Sequence, residues 1–384
     1  MVLFFIPFLY LGCGAGNKQE DINITENNNS SILSFQNQGE SLPLIDDSRE
    51  NNSSSILTLK EPLYQEQWAL HYDRAFYNAY DIDKEAHIHG EKSMNQYSGK
   101  GVRVGIIDIA IDVNHTEYIN NLSKVINSRD GSSIIKCDDM DICYHGTAVA
   151  GVIASNINGI GLRGIAPDVN LTFINLDLKG FVSDSEIVDA LNYVEEENLD
   201  IVNCSWGTGD VSPIVQEKID ELATKGRDGK GVIFVFATGN KGKGLENDES
   251  MLESVIGVGS TDEENLRATY SNWGKGLDIV APGGYILGIT TTYKEDDIYH
   301  SSDFMRAEDY EKFQGTSVSA PIITASIALL LEANPNLTRQ EVQELLHESA
   351  DKIGNVEYLN GYNDYYGYGK VNLDELMIVP MLSK

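Results

Sequence analysis

VRVGIID, residues 102–108, is the stretch that decides the fold, because it is a short β-branched apolar run that ends in a single acid. Comparable apolar runs follow at 171–176, 199–204, 231–237, 254–259 and 277–281. Segments with helix-like apolar spacing lie between the runs, at 184–197 and 213–226, and after the last run, at 316–333. Apolar strands that alternate with helices indicate a mostly parallel sheet covered on both faces. The sequence therefore predicts one α/β domain.

The composition and the net charge restrict the classes of function that the chain can have. The chain has 384 residues, and 28 Lys and Arg against 59 Asp and Glu give a net charge of −31. This charge argues against a nucleic-acid binder, which needs clustered basic residues to neutralise phosphates. It favours basic substrates, bound cations or a simple solubility role. Four cysteines are too few for a disulfide scaffold of this size, and no apolar run reaches the roughly 18–20 residues of a membrane-spanning helix.

The N-terminal segments differ from the rest of the chain. Residues 1–13 are apolar and are typical of the hydrophobic part of an export signal. Their end, Leu11-Gly12-Cys13, resembles a bacterial lipoprotein cleavage box, which would lipidate Cys13; an ordinary signal peptide or a misplaced start codon is the alternative. Residues 14–60 hold 8 Asn and 8 Ser and read as a flexible tether, with a divergent pro-region as the alternative. Residues 61–384 are predicted to form the globular domain.

Three polar positions interrupt apolar or glycine-rich surroundings. Asp108 ends the first strand, His145 begins a helix of small residues, and Ser317 follows Gly315 at the start of an apolar helix. Each has an ordinary structural explanation when taken alone, since strand-end acids cap turns and helix-start serines cap helices. Together they give Asp, then His 37 residues later, then Ser 172 residues after that. This order is the one in which subtilisin carries its catalytic triad.

With these motifs the chain resembles the subtilisin-like serine proteases of class S8 over residues 61–375. Family-like blocks lie between the three positions, in the expected order, at 164–167, 203–207 and 237–240. The resemblance implies a three-layer subtilisin-like fold, in which a mostly parallel sheet lies between helices. It also implies a serine-type endopeptidase that acts on peptide or protein substrates.

The resemblance assigns roles to individual residues. Ser317 would be the nucleophile, His145 the general base and Asp108 the group that orients the imidazole. Asn240 would donate its amide to the oxyanion. Ile109 stands, with Ala110, where the family usually has Ser or Thr followed by Gly, which bears on the level of activity.

Substrate binding is implied for two opposed segments, so that the peptide is held as an added strand. The residues implied are Leu178 and Gly180 on one edge and Ser205, Trp206 and Gly207 on the other. For the second segment a strand-end turn with a buried Trp is the alternative. A partial similarity to the kexin-like proprotein convertases adds Asp210 as an acid at the base of the pocket, with Asp248 and Glu249 near a second such position. These acids would favour Lys or Arg before the cut; if they are only solvated surface groups, a broad apolar preference is expected.

A structural calcium ion is the one cofactor that the resemblance implies. Its ligands would be Glu61, Glu117, the Asn158 side chain and the carbonyls of Ile160 and Leu162. Carboxylate, amide and carbonyl oxygens are the ligands that calcium prefers. A glycine-rich surface turn at 158–162 is the alternative.

The remaining expectations concern cysteines, assembly and location. Cys137 and Cys143 either pair or remain free thiols, while Cys204 packs as a small apolar residue. The protein is expected to be an exported monomer that does not bind nucleic acid. It would contact a membrane only through a lipidated N-terminus, as an anchored bacterial lipoprotein of the periplasm or cell envelope, or else be secreted. The alternative hypothesis is a catalytically silent lipoprotein that binds peptides between the same two substrate-binding segments.

Overall fold

The computed structural model describes residues 61–133, 140–176, 182–293, 297–300 and 313–382. The export segment 1–13 with Cys13, the tether 14–60, and the predicted site residues Leu178 and Gly180 lie outside the described residues. So does Cys137, one of the two cysteines for which pairing and free thiols are the alternatives. Cys143 is disulfide-bonded, and Cys204 is a buried free thiol.

A parallel sheet of seven strands forms the centre of the described fold, in the order β2-β3-β1-β4-β5-β6-β7. Its strands are β1 (Arg103–Asp108), β2 (Leu122–Asn127), β3 (Asn170–Asn175), β4 (Ile201–Cys204), β5 (Ile233–Ala237), β6 (Val255–Thr261) and β7 (Ile279–Pro282). A short antiparallel pair, β8 (Thr291–Thr292) and β9 (Ile298–Tyr299), lies outside this sheet. The parallel sheet that the sequence predicts is therefore confirmed.

Helices cover both faces of the sheet. They are α1 (Arg74–Tyr80), α2 (Glu91–Gln96), α3 (Met140–Ala154), α4 (Asp184–Glu196), α5 (Pro213–Gly229), α6 (Thr316–Ala333), α7 (Arg339–Ser349) and α8 (Leu373–Leu382). Helices α3 and α6 share one apolar core with Ile201 and Ile233, while α4 and α5 share another with Val202 and Phe234. Because neighbouring strand residues point to opposite faces, both cores draw on the same strands. This explains why the strands are continuous apolar runs and not alternating ones.

The parallel register brings the candidate functional residues to one edge. Asp108 lies beside Asn175 at the end of β1, and Ile107 lies beside Cys204 at the end of β4. Segment 237–240 leaves the end of β5, next to β4. Since all these strands run in the same direction, their carboxyl ends meet at the same edge, where ligands of open α/β sheets bind.

Helix α6 begins at this edge and runs through the core. By length and composition its 18 residues would suffice to cross a membrane, but 89% of them are buried inside the protein, as in the core helix of a globular domain. Pro321 lies within the helix and has no N–H to offer to the carbonyl four residues earlier, which is that of Ser317. That carbonyl instead accepts a hydrogen bond of 2.9 Å from the Ser205 hydroxyl. The proline thus couples the start of α6 to the end of β4.

Candidate active site

Asp108 and His145 form a buried pair. The Nδ1 atom of His145 lies 2.8 Å from Asp108 Oδ2 and 3.0 Å from Asp108 Oδ1. Burial disfavours the charged imidazolium, but the attraction of the carboxylate and its hydrogen bond outweigh this, so the pKa of His145 is raised. The carboxylate therefore fixes the imidazole with its other nitrogen, Nε2, directed away from Asp108.

The unusual residues after Asp108 pack into the fold. Ile109 and Ala110 are both buried, and the backbone N–H of Ile109 donates to Asp108 Oδ1 at 2.7 Å. A Cβ atom on Gly146 would come within 2.1 Å of the Ala110 carbonyl oxygen, so glycine is required where α3 crosses this segment. The carboxylate thus keeps a backbone donor although Ser or Thr is missing next to it.

Ser317 occupies the second position of α6 and is buried. Its hydroxyl donates to the Ser205 carbonyl at 3.2 Å. His145 Nε2 is buried and makes no hydrogen bond within the described part of the chain. The bond between Ser317 and His145 that proton transfer requires is therefore not formed in this structure; such bonds often tighten only when substrate is bound.

Asn240 is held in one orientation by the start of α6. Its Oδ1 atom accepts from the Thr316 N–H and the Thr316 hydroxyl, both at 2.9 Å. A backbone N–H can only donate, so the atom facing it must be the amide oxygen, and Nδ2 keeps its two donors for another acceptor. Gly315 has a φ of 129°, and a Cβ atom there would lie 2.9 Å from Nδ2, so a glycine is needed beside the amide.

The predicted substrate segment follows β4 directly. The Trp206 indole is buried, donates to the Ile107 carbonyl at 2.8 Å and packs edge-on against Phe236. Any contact of Trp206 with a substrate would therefore be made by its backbone. A Cβ atom on Gly207 would lie 2.7 Å from Asp248 Oδ2, so there is no room for a side chain at this position.

The three acids near this segment have different environments. Asp210 is exposed and accepts from Asn247 Nδ2 at 2.6 Å. Asp248 accepts from the Gly209 N–H at 3.0 Å. Glu249 is fully buried and receives the Thr208 N–H at 3.0 Å and the Thr208 hydroxyl at 2.7 Å. Of the three, Glu249 is thus an internal support and not a solvated surface group.

Burial dominates the electrostatics of the two inner acids. Desolvation, followed by the charge of Asp248, raises the pKa of Glu249 to about 7. Desolvation also raises the pKa of Asp248, although bonds from Ser250 and Gly209 and the charge of Lys241 oppose it. None of the three acids forms an ion pair with a basic residue in the ranges that the structure describes.

Two of the predicted calcium ligands, Glu61 and Glu117, lie against the loop 158–162. Glu61 is buried; its Oε1 atom accepts from the Gly159 N–H at 2.9 Å, and its Oε2 atom is buried without a hydrogen-bond partner. The buried Glu117 lies so close to Gly161 that a Cβ there would be 2.3 Å from its Oε1 atom. Two buried carboxylates at one loop are unfavourable unless a positive charge offsets them.

The rest of this loop is compatible with a cation that takes oxygen ligands. Asn158 Oδ1 accepts from the Ile160 N–H at 2.8 Å, and the Gly161 carbonyl accepts from the Leu63 N–H at 2.8 Å. Within the described residues no group of three or more His, Cys, Asp or Glu forms a metal site. The set therefore depends on two carboxylates together with amide and carbonyl oxygens, which suits calcium rather than zinc.

Two features of the site were missed at the level of sequence. Thr316 fixes Asn240, although the sequence marks only its neighbours Gly315 and Ser317 as unusual. The buried Asn203 donates to the Ser205 hydroxyl at 2.9 Å, which extends the polar contacts beneath Ser317. The only signal for the second feature is a polar residue inside an apolar strand.

The seven-stranded parallel sheet, with the Asp–His pair and the serine and asparagine at the same edge, has the architecture of the subtilisin-like class. The chain belongs to the subtilase family, peptidase S8, whose sequence profile matches residues 99–369.

Individual relatives agree with this assignment. The chain is 31% identical over 281 residues to alkaline elastase YaB from Bacillus sp. (strain YaB), covering 72% of this chain and 65% of the relative. It is 29% identical over 321 residues to a calcium-dependent protease from Nostoc sp., covering 75% of this chain. The chain thus spans 65% and 48% of the lengths of these two relatives.

The fold matches solved structures as well. The crystal structure of the Aeromonas sobria serine protease in complex with the chaperone ORF2 aligns with a TM-score of 0.71 at 20% identity. The alignment covers 84% of this chain and 67% of that protease. At this level of identity the similarity concerns the fold.

Proposed function

We propose that this protein is an exported serine endopeptidase that hydrolyses peptide bonds with Ser317, His145, Asp108 and Asn240. The observation that carries the proposal is the buried Asp108–His145 pair, whose Nε2 atom has no hydrogen-bond partner among the described residues. A buried polar nitrogen without a partner costs free energy, and a catalytic role explains why the fold retains one. In the apo protein it is available to take a proton.

The steps follow from the donors and acceptors at the site. Ser317 Oγ attacks the scissile carbonyl while His145 Nε2 removes its proton, and Asp108 stabilises the imidazolium that forms. The carbonyl oxygen becomes an oxyanion, which receives hydrogen bonds from Asn240 Nδ2 and the Ser317 N–H. That N–H is one of the first four of α6, which have no intrahelical acceptor.

The tetrahedral intermediate with the oxyanion then breaks down to an acyl-enzyme, which is hydrolysed in a second step. His145 gives its proton to the leaving amine, and the acyl chain stays on Ser317. Water, deprotonated by His145, attacks the acyl-enzyme, releases the carboxylic acid and restores the hydroxyl of Ser317. Atoms and protons balance over the cycle, and the Ser317 side chain swings between the Ser205 carbonyl and His145.

Ser317→Ala should abolish peptide hydrolysis while leaving the fold intact, because it removes only the attacking oxygen. Asn240→Ala should lower kcat by about 10²–10³ and leave residual activity. Reaction with a fluorophosphonate probe, which needs an activated serine, separates the protease from the catalytically silent peptide binder. A wild-type protein that neither labels nor hydrolyses peptides would overturn the proposal.

We also propose that the substrate lies along the backbone of Ser205–Gly207, with Leu178 and Gly180 as the opposite edge, and that Lys or Arg is preferred before the cut. The support for basic specificity is the convergence of Asp210, Asp248 and Glu249 on residues 207–210, with no ion pair to a basic residue in the described ranges. A basic side chain in the pocket would supply the missing positive charge.

Calcium and export belong to the same proposal. Glu61, Glu117, Asn158 and the carbonyls of Ile160 and Leu162 would hold a calcium ion that offsets two buried carboxylates. The similarity to a calcium-dependent protease points the same way.

The apolar segment 1–13 would direct export, and lipidation of Cys13 would anchor the chain to a membrane. Cys13→Ser should then move the protein from the membrane to the soluble fraction, and an unchanged distribution would refute anchoring.

A further inference from the structure

Asn272 lies buried beneath the loop that carries Asn240. Its side chain and backbone make four hydrogen bonds to residues 238–243. Asn272 Nδ2 donates to the Thr238 carbonyl at 2.7 Å, and its Oδ1 atom accepts from Lys241 N–H at 3.0 Å and Lys243 N–H at 3.3 Å. The Asn272 N–H donates to the Gly239 carbonyl at 2.9 Å.

The orientation of this amide is fixed by its partners. A carbonyl can only accept, and backbone N–H groups can only donate, so nitrogen must face Thr238 and oxygen must face Lys241 and Lys243. An aspartate would keep the acceptor but place a second negative oxygen against the Thr238 carbonyl. A leucine would leave the buried Thr238 carbonyl without its partner and would remove the acceptor of both N–H groups, which is unfavourable.

These bonds bracket Asn240 on both sides along the chain. Gly239 before it and Lys241 after it are each bonded to Asn272. A Cβ atom on Gly239, whose φ is 92°, would lie 2.8 Å from Asn272 Nδ2, so the two residues are in close contact. On the other side the Asn240 amide oxygen is held by Thr316. Asn240 is therefore fixed between two supports, one at the start of α6 and one at Asn272.

We propose that Asn272 is a positioning residue for the oxyanion hole, which holds the backbone on both sides of Asn240 so that Nδ2 meets the developing oxyanion. The inference rests on the proposed function, because it acts through the role of Asn240. It assigns Asn272 a positioning role toward the segment 241–244, which consists of two lysines and two glycines and is largely exposed. Displacing a catalytic group by about 1 Å can lower a rate by about 10².

A double-mutant cycle tests the inference, with hydrolysis of one peptide substrate and melting temperature as readouts. Asn272→Asp, nearly isosteric, and Asn272→Leu should each lower kcat by about 10- to 100-fold with little change in KM. In the Asn240→Ala background the same substitutions should change kcat by less than about twofold, because the group that they displace is gone.

Asn121→Asp is the matched control. Asn121 Nδ2 donates to the carbonyls of Ala154 and Pro167, so its substitution also sets a carboxylate against carbonyl oxygens, but not in the loop that carries Asn240. It should lower the melting temperature and preserve kcat.

The outcomes separate the two proposals. If Asn272→Asp lowers kcat equally with and without Asn240, Asn272 is a general structural residue and the inference is wrong. If Asn240→Ala lowers kcat and neither Asn272 variant does, the inference fails and the proposed function stands. If Asn240→Ala itself leaves kcat unchanged, the oxyanion role fails and the inference fails with it.

Discussion

Glu249 supports the local structure through hydrogen bonds and also makes the stability of the fold depend on pH. Its carboxylate receives two bonds from Thr208, and the side chain has no contact with solvent. Glu249 interacts electrostatically with two ionisable groups, Asp248 and Cys204 on β4. Asp248 in turn interacts with the charge of Lys241. Burial disfavours the ionised carboxylate and the charge of Asp248 adds to this effect, so the pKa of Glu249 is raised to about 7.

The raised pKa predicts how stability depends on pH. The ordinary pKa of a glutamate is 4.5, so between pH 4.5 and about 7 the unfolded chain has lost a proton that the folded protein keeps. Glu249 therefore lowers the free energy of unfolding as pH rises through this window, and it has no such effect below the window. Glu249→Gln should raise the melting temperature relative to wild type at pH 8 and lose this advantage at pH 4.

Calorimetry at several pH values measures this difference, with Glu264→Gln, an exposed acid, as the control. A glutamine keeps an acceptor for the Thr208 N–H, and its amide can donate to the Thr208 hydroxyl, so the local bonds survive. Parallel melting curves of wild type and Glu249→Gln across the whole range would contradict the prediction.

At the scale of the element, α6 combines three tasks at its first turns. Thr316 orients Asn240, Ser317 is the proposed nucleophile, and Pro321 frees the Ser317 carbonyl for Ser205. A free helix N-terminus also favours negative charge, which suits an oxyanion. The burial of α6 from Thr316 to Leu331 holds these groups at fixed positions, which electrostatic stabilisation of a transition state requires.

The loop 158–162 and the first described turn, near Glu61, provide the test of calcium. If calcium binds only the folded state, chelation should lower the melting temperature by about 5 °C, the effect expected from calcium at about 100 times its Kd. Glu117→Gln should blunt this response, because it removes one of the two buried negative charges. Glu348→Gln, an exposed acid on α7, should leave the response intact. A melting temperature that ignores chelator in wild type would remove calcium from the proposal.

Most of the sheet could be predicted from the sequence, because buried parallel strands are continuous apolar runs. Strand β2 was missed: it lies at the edge of the sheet, and Ser123 and Lys124 within it are exposed, so its sequence lacks such a run. Asp108, His145 and Ser317 could be singled out from the sequence because each is a polar residue in apolar or glycine-rich surroundings, and their catalytic roles stay a prediction. The hydrogen bonds between Asn272 and residues 238–243 could not be predicted, since they span about 30 residues and depend on how β6 and its following turn pack against β5.

At the scale of the whole molecule, the charge of −31 acts on any charged substrate. A field of this sign raises the encounter rate of basic peptides and is screened by salt, whereas a pocket acid acts at short range. Salt and local substitution can therefore separate long-range attraction from recognition inside the pocket.

Peptides that differ only in Arg or Leu before the cut should show this separation. We expect wild type to prefer Arg in kcat/KM, with the preference reduced but not abolished at about 0.5 M salt, where the screening length is a few ångströms. Asp210→Asn should reduce the remaining preference by about fivefold, because one carboxylate that pairs with Arg is lost. Asp189→Asn makes the same change of net charge on the exposed surface of α4 and should alter only the salt-dependent part. A wild-type preference for Leu that Asp210→Asn leaves unchanged would show that the acids near Gly207 support the groove without reading the substrate.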